Sequence, residues 1–345
     1  MSPTIEIPSG VEWANGRLYF IDQTRIPLEF IRKEVTTLDI AEEAILSLKV
    51  RGAPAIATFA SFALVLALRE QAGKQLTLNA FLEEGIRVLE RLLSTRPTAV
   101  NLSHAMRRMR NVFESGTVSS VEQLIDQIQR EAEHIESEDK DLCATLGRLG
   151  NDLIGHRARI MTHCNTGALA TAGIGTAIGA FYTAHRDRKD ISVFACETRP
   201  LLQGSRLTAW ELDRAGIRTT LITDNMAAHI MKEEKIDLVM VGADRIARNG
   251  DTANKIGTLG LAILAKHYGI PFYVVAPSTS VDSTLPRGSE IEIEERNPDE
   301  VRRFAGAQAS PPQIPVRNPA FDVTPSELIT AIVTERGIHR APYSF

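Results

Sequence analysis

The chain of 345 residues contains no run of eighteen consecutive apolar side chains, so its composition offers no hydrophobic span. It has three cysteines, none at Cys-x-x-Cys spacing, which argues against a disulfide framework and against a structural zinc site. Positive charge is not in excess: 39 lysines and arginines against 43 aspartates and glutamates leave a net charge of -4, too little for nucleic acid to be the expected partner. A small anion held by a few local arginines is still allowed. There is no internal repeat and no low-complexity tract. The opening Met-Ser-Pro-Thr-Ile-Glu-Ile has neither a basic leader nor an apolar h-region, so the expected compartment is the cytoplasm and no membrane partner is expected. What is present is 43% hydrophobic residues over a length that suggests about two domains.

Apolar spacing divides the chain at about residue 150. Residues 1–150 carry three- and four-residue periodicity at 41–48, 56–68, 81–93 and 121–135, after a strand-like start at 17–20. Ser119 and Glu122 have the spacing of a capping box for a long helix that carries Cys143. In residues 151–345 short apolar runs at 158–161, 191–195, 218–222, 236–241 and 271–276 alternate with amphipathic segments. The predicted class is α/β, a Rossmann-like parallel sheet domain of five strands preceded by a smaller, mainly helical N-terminal domain. A Pro- and Asn-rich stretch at 297–319 reads as a long loop or lid. Thr324-Pro-Ser-Glu327 reads as the start of a last helix through Val333.

In an open parallel sheet, ligands bind beyond the carboxyl ends of the strands. The residues there are His163 and Cys164, Cys196 and Glu197, Thr223 and Asp224, Asp244, and Ser278. Polar loop starts are common, so the loops that follow decide the weight of this pattern. Gln203, Gly204 and Ser205 open a segment read as a helix, whose free N–H groups suit an anion, and Asn254 with Lys255 is read at a second helix start. In the helical domain Arg51-Gly-Ala-Pro54 precedes an apolar helix, and Arg96-Pro-Thr98 precedes another. Singly, each such arginine reads as a solvated charge; together they suggest one phosphate gripped by both domains, with closure that excludes water.

Buried free cysteines are mostly packing, and Cys143 and Cys196 read that way. Cys164 differs because Asn165, Thr166 and Gly167 read as a turn into a helix N-terminus, whose dipole favours a thiolate. Asp244 follows the apolar Val239-Met-Val-Gly-Ala, where burial favours a protonated carboxyl; pairing with Arg245 or Arg248 is the structural alternative. His163 and His229 are further candidate proton carriers. A dinucleotide site is disfavoured because Gly173, Gly175 and Gly179 are read inside a helix rather than in the turn.

Arg51-Gly-Ala-Pro-Ala-Ile56, Thr162-His-Cys-Asn-Thr-Gly-Ala-Leu-Ala170, Glu197-Thr-Arg-Pro-Leu-Leu-Gln-Gly204, and Gly242-Ala-Asp-Arg-Ile246 through Ala253-Asn-Lys-Ile-Gly257 resemble the methylthioribose-1-phosphate isomerase family. Asp22-Gln-Thr-Arg-Ile-Pro27, Ile293-Glu-Glu-Arg296 and Asn318-Pro-Ala-Phe-Asp-Val-Thr-Pro325 extend the resemblance nearly end to end. It implies a homodimer of the methionine salvage pathway that converts 5-methylthioribose 1-phosphate into methylthioribulose 1-phosphate without cofactor or metal. It implies Cys164 and Asp244 as the catalytic pair, and Arg51, Gly52, Ala53, Arg96, Gln203, Asn254 and Lys255 as substrate contacts.

Leu259, Thr166 and Glu292 depart from the family's usual residues, which leaves room for a pocket that also takes 5-deoxyribose 1-phosphate. Other readings are an isomerase of ribose 1,5-bisphosphate, a noncatalytic sugar-phosphate-binding regulatory protein, and a nicotinamide-dependent oxidoreductase. Regulatory members of this fold generally lack the Cys and Asp pair retained here.

Overall fold

A computed structural model describes residues 8–345 apart from Gln75, Thr98, Thr117 and Ala305. It divides into two compact units. One consists of Pro8–Ala144 with Ala168–Gly175; the other of Thr145–Gly167 with Thr176–Phe345. The contact boundary thus lies six residues before the expected one, and eight residues of the second half join the helical unit.

The helical unit opens with an antiparallel meander of β1 (Val11–Ala14), β2 (Arg17–Ile21) and β3 (Arg32–Val35). Five helices follow: α1 (Leu38–Leu46), α2 (Ala53–Ala72), α3 (Leu78–Ser94), α4 (Val100–Glu114) and α5 (Val121–Asn151), the last reaching into the second unit. α2 is long and apolar enough to cross a membrane by length and composition, but it is the core of its unit. Phe59, Phe62, Leu64 and Leu68 are fully buried, Trp13 stacks on Phe62 at 4.7 Å, and Phe20 meets Phe59 edge-on at 5.7 Å. α5 is capped one residue later than its sequence suggests. The Ser120 hydroxyl accepts the Gln123 N–H at 3.2 Å, and the Gln123 side chain accepts the Ser119 N–H at 2.9 Å.

The second unit is built on β4 (Arg159–Thr162), β5 (Ser192–Cys196), β6 (Arg218–Ile222), β7 (Leu238–Val241) and β10 (Phe272–Val275), with crossovers α6 (Ala177–Arg186), α7 (Ala209–Arg214), α8 (Ala227–Glu233) and α9 (Thr258–Tyr268). Between β7 and α9 lie β8 (Arg245–Ala247) and β9 (Thr252–Lys255). The chain closes with β11 (Val281–Asp282), the hairpin β12 (Arg303–Phe304) and β13 (Ala307–Gln308), β14 (Phe321–Thr324), β15 (Ala331–Thr334) and β16 (Gly337–His339). The main sheet has seven strands in the order β16-β15-β10-β7-β4-β5-β6, all parallel except β16. A four-stranded sheet, β11-β8-β9-β14, flanks it.

Three expectations are corrected. The last segment is a strand, not a helix: Ala331-Ile-Val-Thr334 is fully buried and β-branched, and the capping-box residues form only a 3-10 turn at Ser326–Leu328. The main sheet has seven strands, not five, because β15 and β16 extend it. The segment after β4 is not helical until Ala177; before it comes only a 3-10 turn at Ala168–Ala170. The stretch 297–319 holds the helix Asp299–Arg302 and the hairpin β12–β13.

In the helical unit the buried Asp139 of α5 accepts the Ala172 N–H at 2.6 Å and thereby holds the segment Ala168–Gly175. Burial pushes its pKa up to about 6 from 3.8, against the downward pull of that hydrogen bond. A raised acid pKa means that the group's stability contribution is complete below about pH 4 and is lost as pH rises through about 6. Asp139→Asn should therefore match the parent in denaturant unfolding at pH 4 and exceed it at pH 8 by up to about 3 kcal/mol. Equal stabilities at pH 8 would contradict this.

Candidate active site

The order β6-β5-β4-β7-β10-β15 reverses direction between β4 and β7, which makes this the switch point at which open parallel sheets bind ligands. Met161 of β4 lies beside Val239 of β7, and the Thr162 hydroxyl donates to the Met240 carbonyl at 2.8 Å. Cys164 follows β4 and Asp244 follows β7, so both leave the sheet at this reversal. The loops meet there: a Cβ on Gly242 would lie 2.5 Å from the methyl of Thr166. The Thr166 methyl fills the space that Gly242 leaves.

Cys164 is buried and has φ of 60°, the left-handed region that a non-glycine residue avoids. That conformation costs about 1–2 kcal/mol. Two hydrogen bonds, worth about 1 kcal/mol each, offset it. The Cys164 N–H donates to the Thr198 hydroxyl at 2.9 Å, and the Cys164 carbonyl accepts the Thr208 hydroxyl at 2.5 Å. Thr198 donates in turn to the Cys196 carbonyl at 3.1 Å, and its own N–H and that of Arg199 are received by the two oxygens of Asp224, each at 2.8 Å. Asn165 donates to Glu211, which also accepts the Tyr182 hydroxyl; both bonds are 2.8 Å. Burial and that carboxylate hold the Tyr182 phenol far above its ordinary range.

No α-helix begins after Cys164, so the expected helix dipole does not act there. Its backbone is instead held by the loop after β5. That loop is itself strained, with Thr198 at φ 66° and Leu202 at φ 57°, and it enters α7 through a π-turn at Gly204–Thr208. Gln203, at the start of that turn, is buried, and its Oε1 has no partner among the described residues. Such an orphaned buried amide points to a polar group supplied from outside the chain.

Asp244 is half-buried, and its N–H donates to the Ala253 carbonyl at 3.0 Å. The hairpin β8–β9 brings Asp244 and Asn254 together, so Asn254 and Lys255 sit on a strand rather than at a helix start. The buried Asn254 amide donates to the Thr258 hydroxyl at 3.0 Å. Lys255 Nζ donates to the Ala320 carbonyl at 2.9 Å and lies 4.6 Å from the Phe321 ring centre. α9 is capped by Asp322, whose oxygens accept the N–H groups of Gly257 and Leu259 at 2.7 and 3.0 Å. Arg245 Nη1 lies 3.8 Å from Asp282, and Arg248 is exposed.

In the helical unit Arg51 is buried just before α2. Gly52 has φ of 94°, and a Cβ there would lie 2.5 Å from Ala170, so only glycine fits. α2 starts at Ala53 with no side-chain cap. Arg96 lies half-buried between α3 and α4, and Thr98 is outside the described residues. Gly179 lies inside α6 as expected, whereas Gly173 and Gly175 precede it; a Cβ on Gly173 would lie 2.7 Å from Cys143, so this glycine serves packing against α5 and not a nucleotide-binding turn.

Thr198, Thr208, Glu211 and Asp322 were not picked out by sequence reading. Thr198 and Thr208 reach Cys164 across 34 and 44 residues, Glu211 reaches Asn165 across 46, and Asp322 reaches Leu259 and Gly257 across 63 and 65, beyond any local pattern.

The profile of the Initiation factor 2 subunit family matches residues 49–341. A Methylthioribose-1-phosphate isomerase of Heliobacterium modesticaldum is 51% identical, with 96% of each chain covered. One of Bacillus pumilus is 47% identical over all of this chain and 96% of its own. The chain belongs to the initiation factor 2 subunit family, among its methylthioribose-1-phosphate isomerases. The crystal structure of 5-methylthioribose 1-phosphate isomerase from Pyrococcus horikoshii superposes with a TM-score of 0.91 at 41% identity, covering 98% of this chain and 94% of that one. A structure described as translation initiation factor eIF-2B, subunit delta, from A. fulgidus gives 0.86 at 40% identity, covering 97% and 96%. The α/β architecture with a helical N-terminal region is that of this family.

The close approach at Gly204 is open to direct test. A Cβ there would fall 1.7 Å from the Cys196 carbonyl oxygen, a backbone atom that cannot rotate away. Gly204→Ala should lower the unfolding free energy by about 2 kcal/mol or more, the scale of overpacking in a rigid site. An unchanged denaturant midpoint would show that β5 and the π-turn are not in contact there.

Proposed function

We propose that the chain isomerises 5-methylthioribose 1-phosphate to 5-methylthioribulose 1-phosphate, the aldose-to-ketose step of methionine salvage, with Cys164 and Asp244 as the reacting groups. The activity rests on near-full-length identity of about half to proteins bearing that name. The residue roles rest on one observation: a strained, backbone-clamped thiol stands at the same sheet reversal as a half-buried carboxylate.

The chemistry sets two tasks. A phosphate on the anomeric carbon blocks the spontaneous opening on which ordinary sugar isomerases rely, so the ring oxygen must be protonated. Asp244 is assigned as the general acid that delivers this proton as the bond between C1 and the ring oxygen breaks, and the carboxylate so formed as the base that takes up the O2 hydroxyl proton as the ketone forms at C2, the phosphate staying on O1. Cys164 is assigned to the C1–C2 unit, where it either carries a proton through an enediol-like species or stabilises a hydride shift. Gln203, Asn254 and Lys255 are assigned as substrate contacts, as are Arg51, Gly52, Ala53 and Arg96 in the helical unit. The orphaned Gln203 amide supports the first of these. No cofactor or metal is required by the reaction as written, and a cytoplasmic homodimer is the proposed state of the enzyme.

A regulatory reading is kept because of the likeness to the structure described as an initiation factor subunit. Turnover separates the two. Asp244→Asn should cut product formation from methylthioribose 1-phosphate by at least about a hundredfold while the fold is retained. Near-normal turnover would remove its assignment as acid, and absence of turnover in the parent would favour the regulatory reading. Cys164→Ser should still bind substrate in calorimetry but not convert it; lost binding would instead make Cys164 a contact residue. Parallel assays with 5-deoxyribose 1-phosphate and ribose 1,5-bisphosphate define the substrate range.

A further inference from the structure

Beside the catalytic assignment, the ends of β4, β5 and β6 bring together three groups that the proposed reaction does not use. His163, Cys196 and Asp224 present one donor atom each, all within 4.8 Å of one another, and the first two are fully buried. The imidazole is oriented by its surroundings. Its Nε2 lies 2.8 Å from the Ile256 carbonyl, which can only accept, so Nε2 carries the hydrogen and the neutral ring keeps a bare lone pair on Nδ1. Burial favours that neutral ring, although Asp224 pulls the other way.

Nδ1 is buried without a hydrogen-bond partner among the described residues, and the nearest charge it faces is Asp224 Oδ1 at 3.9 Å. A buried lone pair turned toward a carboxylate is unfavourable unless something positive lies between them. Gly257, at φ 105°, lets the ring sit where it does: a Cβ there would lie 3.0 Å from its edge.

We propose that His163 Nδ1, Cys196 Sγ and Asp224 form a binding site for a thiophilic divalent cation of the zinc type, separate from the Cys164 thiol. One sulfur, one imidazole nitrogen and one carboxylate oxygen are a borderline-soft donor set that suits zinc and disfavours magnesium or calcium, which prefer oxygen alone. Around a tetrahedral zinc such donors lie about 3.5 Å apart, so the three groups need to draw in by roughly 1 Å, leaving a fourth position open. As the Sγ–metal bond forms, the thiol proton leaves to solvent. The one N–H of the neutral imidazole is already held by the Ile256 carbonyl, the usual outer partner of a metal-bound histidine. Asp224 also receives the N–H of Thr198, whose hydroxyl holds the Cys164 N–H, so an ion at this site pulls on the backbone of the proposed catalytic thiol.

The test uses the full chain, and the probes are zinc and cobalt(II) chlorides. Equilibrium dialysis should show one zinc per chain, and cobalt(II) should give a thiolate charge-transfer band in the parent and in Cys164→Ser. Even an outer-shell partner is worth about 10- to 100-fold in affinity, so Cys196→Ser should bind at least about tenfold more weakly and lose the band. His163→Gln and Asp224→Asn should weaken binding on the same scale, and thermal melts show which variants are folded, so one unfolded variant does not decide the matter. A band that persists in Cys196→Ser, a band lost in Cys164→Ser, or no zinc retained by the parent would overturn the proposal. None of these readouts depends on turnover, so their failure would leave the isomerase reading untouched.

Discussion

The site depends on how one backbone is held. Cys164 adopts a left-handed conformation at the end of β4, and the threonine hydroxyls that receive its N–H and supply its carbonyl come from two different positions beyond β5. Remove the loop after β5 and Cys164 loses the acceptor of its N–H; remove Asp224 and that loop loses the acceptor for two consecutive N–H groups. The thiol is therefore positioned by a relay that runs across the ends of three adjacent strands. Buried hydrogen bonds of this kind contribute little net energy each, but leaving one unmade costs more, so the relay enforces one geometry.

The strand order gives that relay its place. A parallel sheet whose order reverses leaves a crevice at the reversal, because the crossovers on either side depart in opposite directions. Here the reversal separates β4 from β7, the two strands that end in Cys164 and Asp244. The small flanking sheet then adds Asn254 next to Asp244 through a hairpin. The acid and the amide are set by strand pairing, the thiol by side-chain hydrogen bonds, and neither depends on a helix dipole.

Much of this was legible in the residues. The five expected strands of the second half all exist, since short β-branched runs between turn residues have few alternatives. The polar residues at their ends stand where the runs stop. Errors came where local pattern and distant packing disagree. Ala331-Ile-Val-Thr334 follows a helix-start motif yet pairs with β10 as a strand, because a gap beside β10 buries it on both faces. Gly173 and Gly175 read as lying inside a helix but lie in a segment held by Asp139, Cys143 and Gly52, all distant in sequence.

By itself the amino-acid order determined the class of fold, the places where strands end and the polar side chains found there, because those follow from periodicity and from what a neighbouring few residues can bury. Tertiary structure decided what holds those side chains and what surrounds them: the threonines that clamp Cys164, the carboxylate that anchors one of them, and the lone pair of His163 turned toward Asp224. Such partners are brought together only by the pairing of strands and the routes of their crossovers, and a hydrogen bond between residues 34 or 44 apart leaves no local trace in the sequence.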